Sequence, residues 1–211
     1  MASRREGICH LCGQHKELTF EHIPPRRAFN EHQRLFRTAQ DHLSGWEHGT
    51  KYLRGVGNYS LCKRCNNITG AWYGEAFVGW AKQGFEYFDK VKGEKALSLP
   101  YYIRPLNVPK QVMVMALALA PEAPAQKNFE PRRSVLRKRE RYLPADLRAF
   151  VYNCMNGEVR FASGMAILDT NGGGSDFVLG EVAMPPFGYC VTVPVGERKS
   201  SAEEKGLYDI S

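Results

Sequence analysis

Four of the six cysteines in this 211-residue chain form two C-x-x-C pairs, Cys9–Cys12 and Cys62–Cys65, while Cys154 and Cys190 stand apart. Thiolates two residues apart reach one ion from a tight turn, and two such turns complete a tetrahedral sulfur site for zinc with no open position. Gly13, directly after the first pair, suits a turn that aims backbone N–H groups at sulfur. A disulfide framework fits poorly because nothing in the sequence suggests secretion, and a redox pair needs one motif inside a βαβ pattern that is missing here. Cys9, Cys12, Cys62 and Cys65 are therefore expected to hold a structural zinc (Zn2+), with Cys154 and Cys190 as buried apolar residues.

Between the pairs lies LTFEHIPP, in which a β-prone stretch, Leu18-Thr19-Phe20, runs into Glu21-His22 and is stopped by Ile23-Pro24-Pro25. A carboxylate can hold a hard divalent cation, and a neighbouring imidazole can deprotonate water near neutral pH. The second pair sits in GNYSLCKRCNNITG, where Asn58 precedes a short strand and Asn66 follows the last sulfur ligand. A helix is expected to begin there, and the Asn66 amide oxygen is a suitable neutral ligand for the same cation. Read blandly, Asn66 is a helix cap and Asn58 a turn residue. His10 is expected to be solvated, and His15, His32, His42 and His48 carry no motif.

The order C-x-x-C, acidic-His, Asn, C-x-x-C-Asn over residues 9–70 resembles the HNH, or His-Me finger, endonucleases. It is most similar to the branch whose ββα-metal motif is clamped by a four-cysteine zinc. The resemblance implies that His22 is the general base and that Asn58 orients its imidazole through backbone contacts. It also implies that Glu21 and Asn66 bind one catalytic Mg2+ or Mn2+, and that the substrate is DNA in a phage, mobile-element or defence setting. Glu21 stands where the family usually has aspartate, residues 23–57 are longer than the usual loop, and Thr69 replaces a common lysine. The rival reading is a non-catalytic zinc module that binds nucleic acid or a protein partner.

These groups must be positioned by elements the sequence also outlines. Tyr73, Phe77, Trp80, Ala81, Phe85 and Phe88 recur at helical spacing, so 67–92 reads as one helix with an aromatic core face, stopped near Gly93. Pro109 to Ala120 reads as a short buried helix ended by Pro121, followed by a loop, PEAPAQKNFEP. From Phe150 the signals are β: AFVYNCM, EVRFASGMAIL, FVLGEVAM and FGYCVTVPV, about four antiparallel strands with turns at Asn156-Gly157 and Asn171–Gly174. Residues 196–211 read as a flexible or loosely docked tail. The expected fold class is α+β: a zinc-clamped ββα-metal domain over 1–95, then a small α+β domain with an antiparallel sheet over 96–195. The second unit is assigned substrate choice, homo-oligomerisation or a partner surface.

Charge points the same way. The chain carries 29 Lys+Arg against 22 Asp+Glu, a formal net charge of +7. Residues 1–70 hold 11 basic and 6 acidic side chains, 105–150 hold 9 and 4, and 151–211 hold 4 and 8. Clustered Lys/Arg supply the sequence-independent part of nucleic-acid binding, for DNA first and RNA as the alternative. Arg26, Arg27, Lys63, Arg64, Arg132, Arg133, Arg137, Lys138 and Arg139 are the expected phosphate contacts. No apolar run is long enough to cross a bilayer and the N-terminus lacks the apolar segment of a signal peptide, so a cytoplasmic protein is expected.

Overall fold

The computed structural model describes residues 5–32, 34–36, 50–90, 98–120, 130–144, 147–154, 159–162, 165–168, 175–195 and 208–210. The expected domain boundary at 95/96, the turns at 156–157 and 171–174, Gly93, His42 and His48 lie outside them, as does most of the PEAPAQKNFEP loop. The chain mixes helices with antiparallel sheets, and no described helix is long and apolar enough to cross a membrane.

β1 (Arg5–Ile8), β2 (His15–His22) and β5 (Gly57–Cys62) form a three-stranded sheet with β2 at its centre. Leu18 faces Cys62 and His22 faces Gly57, with a bulge opposite the Thr19–Phe20 step. Within the long insert, β3 (Arg34–Phe36) and β4 (Thr50–Tyr52) pair with each other. The chain then passes without a loop from β5 into α1 (Lys63–Thr69), a π-helical turn (Gly70–Gly74) and α2 (Glu75–Lys90). The helical run thus begins at Lys63, and both Cys65 and Asn66 lie within its first helix rather than before it.

α3 (Asn107–Leu119) is buried on every side from Val108 to Ala118, as befits a helix that is apolar nearly all round. It touches β5, the π-helical turn and α2 on one side, and the larger sheet on the other. That sheet has the order β11-β6-β10-β9-β7, with β8 also on β9, built from β6 (Arg148–Asn153), β7 (Arg160–Ala162), β8 (Met165–Leu168), β9 (Ser175–Met184) and β10 (Phe187–Val195). Its last member, β11 (Tyr208–Asp209), comes from the expected tail and covers the open edge of β6. One hydrophobic cluster contains Cys9, Leu61, Tyr73 and Phe77 together with Met113, Leu117, Val151 and Val191, so the core is continuous across the expected division.

The aromatic face of the π-helical turn and α2 packs as the periodicity predicts at Tyr73, Phe77 and Ala81, but Phe85 is half exposed beside Phe29. Two glycines of this helix give opposite expectations. A Cβ at Gly79 meets nothing within 4 Å, so Gly79→Ala should stabilise by about 0.5–1 kcal/mol through lost chain entropy. A Cβ at Gly84 comes within 2.5 Å of the Phe187 ring, so Gly84→Ala should lower the melting temperature. Thermal melts of the two variants check both signs.

Candidate metal centre and adjoining polar site

The four paired cysteines close on one point. Their sulfurs lie within 4.8 Å of one another, and they form the single group of three or more metal-ligating His, Cys, Asp or Glu side chains among the described residues. An ion with bonds of about 2.3 Å sets neighbouring sulfurs about 3.8 Å apart, so the cage needs a contraction of no more than about 1 Å. The first turn is shaped by Gly13 at φ +67°, whose N–H donates to the Cys9 carbonyl at 2.8 Å. The Cys62 N–H donates to Cys9 Sγ at 3.3 Å. The Cys65 thiol donates to Cys9, which pulls the Cys9 pKa down to about 4 and pushes that of Cys65 up, while burial raises Cys12.

Two contacts with the C-terminal half complete this centre. His10 is 8% exposed and is anchored through Nδ1 to the Leu117 carbonyl of α3 at 3.0 Å, so the solvated histidine expected there is instead a buried strut. Arg132, on α4 (Glu130–Leu136), is 5% exposed. Burial lowers its pKa, and the nearby Cys9 and Cys12 act in the opposite direction. It is thereby withdrawn from the expected phosphate contacts: a guanidinium enclosed beside sulfur offers a counter-charge to thiolates, not a surface to a duplex.

The polar site lies at the far end of β2. Glu21 is 8% exposed, whereas His22 is half buried and its ring meets that of Phe20 edge-on at 5.0 Å. Adjacent strand positions point to opposite faces, which separates the two environments. His22 Nε2 donates to the Arg54 carbonyl at 3.1 Å. Because a carbonyl only accepts, that bond places the proton on Nε2 and leaves Nδ1 as the basic nitrogen. Asn66 Nδ2 donates to Thr19 Oγ1 at 3.1 Å and to the Phe20 carbonyl at 3.3 Å, and Thr19 Oγ1 donates to the Leu61 carbonyl at 3.0 Å. α1 is thus tied to β2 within one residue of Glu21.

Asn58 does not hold the imidazole. It pairs with Glu21 in the register and its Oδ1 accepts the Tyr59 N–H at 2.8 Å, so the contact to His22 falls to Arg54 instead. The asparagine that fixes this loop is Asn30, which sequence reasoning missed. Fully buried, it donates from Nδ2 to the Pro24 and Val56 carbonyls and accepts the Val56 N–H at Oδ1, each at 2.7 Å. Gly55 permits this close approach: at φ +90° its Cβ would stand 1.9 Å from the Asn30 carbonyl oxygen. Asn30→Ala strips the buried Val56 N–H and the Pro24 carbonyl of this partner, while the Val56 carbonyl keeps the Ile23 N–H at 3.0 Å, and a loss of about 3 kcal/mol is expected in urea melts.

Burial pushes the Glu21 pKa from 4.5 up to about 7. Between those values the folded chain keeps a proton that the unfolded chain has released. This group's stability contribution is therefore greatest below pH 4.5 and falls as pH rises through 7, by on the order of 3 kcal/mol in all. Metal-free protein should lose stability between about pH 4.5 and 7, and Glu21→Gln should flatten that slope in denaturant titrations.

Of the remaining expected phosphate contacts, Arg26, Arg27, Lys63, Arg64, Arg133, Arg137, Lys138 and Arg139 are exposed. Arg27 is paired with Glu75 at 2.5 Å and Arg137 with Glu140 at 3.4 Å. Comparison with known protein families, with characterised proteins and with solved structures gives no match.

Proposed function

We propose that this chain is a metal-dependent DNA endonuclease of the His-Me finger type, with zinc in the four-cysteine cage as a structural ion. The observation that carries this reading is the His22 imidazole fixed by a backbone carbonyl at the end of β2, with Glu21 beside it and Asn66 of α1 tied to the same strand. Two antiparallel strands followed at once by a helix, with the second C-x-x-C spanning the junction, are the frame that a ββα-metal site requires.

Glu21 and Asn66 would hold one Mg2+ or Mn2+ ion. Burial disfavours the bare Glu21 carboxylate, which a cation displacing its proton would stabilise, and Asn66 spends its Nδ2 on β2, which leaves Oδ1 as the ligand atom. The ion would supply charge neutralisation at the phosphate. His22 Nδ1 takes the proton from a water that attacks phosphorus in line, the bond from phosphorus to the 3′ oxygen breaks, and that oxygen leaves as a hydroxyl protonated by solvent while the phosphate stays on the 5′ side; the Arg54 carbonyl holds the Nε2–H and keeps the ring from turning. The exposed arginines and lysines contact the phosphodiester backbone and so orient the duplex without reading its sequence.

Purified protein incubated with supercoiled plasmid and Mg2+ or Mn2+ tests the reading. Nicking that stops on chelation supports it. Tight, salt-sensitive DNA binding with no cleavage under any divalent cation leaves the non-catalytic nucleic-acid module instead.

A further inference from the structure

Lys110 lies in the first turn of α3, is fully buried and takes no part in either site described above. Its Nζ donates to the Arg137 carbonyl at 3.1 Å and to the Glu140 carbonyl at 2.9 Å, and stands 5.7 Å from the centroid of the Tyr73 ring. These carbonyls belong to the turn that follows α4, in which the Glu140 N–H also donates to the Arg137 carbonyl at 3.1 Å, so the ammonium draws both ends of one turn together. Enclosing an ammonium is unfavourable unless fixed acceptors replace its water, and here those acceptors are two backbone carbonyls. What it fixes is the segment 137–142, whose residues line a surface concavity and expose Lys138, Arg139, Arg141 and Tyr142.

The charge of this turn is one-sided. Arg137, Lys138, Arg139 and Arg141 have Glu140 as their sole acidic neighbour within the segment, and Arg137 already engages it. Four cations drawn over a fifth, buried one repel each other in the free protein, and a polyanion relieves that repulsion. Lys138 Nζ lies 6.0 Å from the centroid of the Trp72 ring, in the π-helical turn that continues α1. Trp72 is six residues beyond Asn66, roughly 9 Å along a helix at about 1.5 Å per residue. The turn therefore sits against the same helical run that carries the polar site.

We infer that residues 137–142 form a seat for the phosphodiester backbone of DNA, held in shape from below by Lys110 and set apart from the place where the bond is cut. It rests on the nucleic-acid half of the proposed function and not on catalysis. Lys138, Arg139 and Arg141 contact phosphates, and Lys110 is a positioning residue that never meets the ligand.

The test uses the full chain carrying His22→Ala, with a fluorescent 30-base-pair duplex titrated by anisotropy from 50 to 200 mM NaCl in EDTA. With three phosphate contacts removed, Lys138→Ala/Arg139→Ala/Arg141→Ala should lower the slope of log affinity against log salt by about 2–3, whereas Lys82→Ala on exposed α2 should leave it unchanged. Lys110→Met should weaken binding about tenfold with native circular dichroism, although its side chain is out of the ligand's reach. An unchanged slope in the triple variant overturns the seat. Wild-type affinity in a folded Lys110→Met overturns the positioning role, and a Lys110→Met that fails to fold leaves the triple variant to decide. If the triple variant instead loses binding to phosphatidylglycerol vesicles while duplex affinity is unaltered, the surface serves a membrane and the inference falls. No duplex binding by the parent at 50 mM salt would sink the nucleic-acid reading itself, a result distinct from the others.

Discussion

Cys62→Ser, or removal of metal by a strong chelator, is expected to unfold the sheet and helix that carry the polar site, not merely to slow a reaction. Structural zinc contributes about 10–16 kcal/mol of apparent binding energy in small motifs, against about 5–15 kcal/mol of net stability for a whole domain. Here the dependence is sharpened by position. Cys62 is the last residue of β5 and Cys65 lies in α1, so the ion would fasten the strand-to-helix junction from which Asn66 projects. Four buried or half-buried thiols have little other reason to share one point, and holding them as thiolates without a cation is unfavourable. Zinc content near one ion per chain, loss of far-ultraviolet circular dichroism on chelation, and recovery with Zn2+ are the expected measurements. A Cys62→Ser protein with a native spectrum and a sharp melt would remove the metal from this account. Uptake should also release protons, because Cys12 and Cys65 are pushed toward the thiol form, so zinc affinity should rise with pH.

His22→Ala should lower plasmid cleavage by about 10²–10⁴-fold while duplex affinity stays within about twofold. General-base catalysis accounts for that range, and removing an imidazole from a half-buried strand end leaves no unpaired buried group behind. Only the Arg54 carbonyl loses a partner, and it lies in a loop independently secured by Asn30. The variant should therefore melt within about 1 kcal/mol of wild type, which separates a chemical loss from a folding loss. Equal activity of His22→Ala and wild type in metal titrations would end the nuclease proposal, whatever the state of the zinc cage.

The two cysteine pairs, the strand ending at His22 and the buried helix from Asn107 were legible because each is written in local spacing: C-x-x-C, a β-prone run stopped by prolines, and an unbroken apolar stretch. The sheet after residue 147 was legible for the same reason, although it has more strands than expected and recruits Tyr208–Asp209 from the tail. What stayed hidden depends on contacts far apart in the chain. Asn30 stands 26 positions from Val56, and nothing near it distinguishes a loop clamp from a turn residue. Arg132 sits in a run of basic side chains, where composition argues for a wet surface, yet helical geometry turns that one residue inward on α4. Lys110 follows a proline in an apolar run, and only the packed turn shows what its ammonium holds.

α3 is walled in by the four-cysteine half on one side and the large sheet on the other, and Gly180 of β9 approaches Ala116 so closely that a Cβ there would lie 2.9 Å from its Cα. A shortened gene product ending at residue 95 would bare Leu61, Tyr73 and Phe77 to water all at once. Truncation to a minimal four-cysteine module should therefore yield inclusion bodies, and the excised remainder should be no more soluble, since the two portions share one hydrophobic cluster.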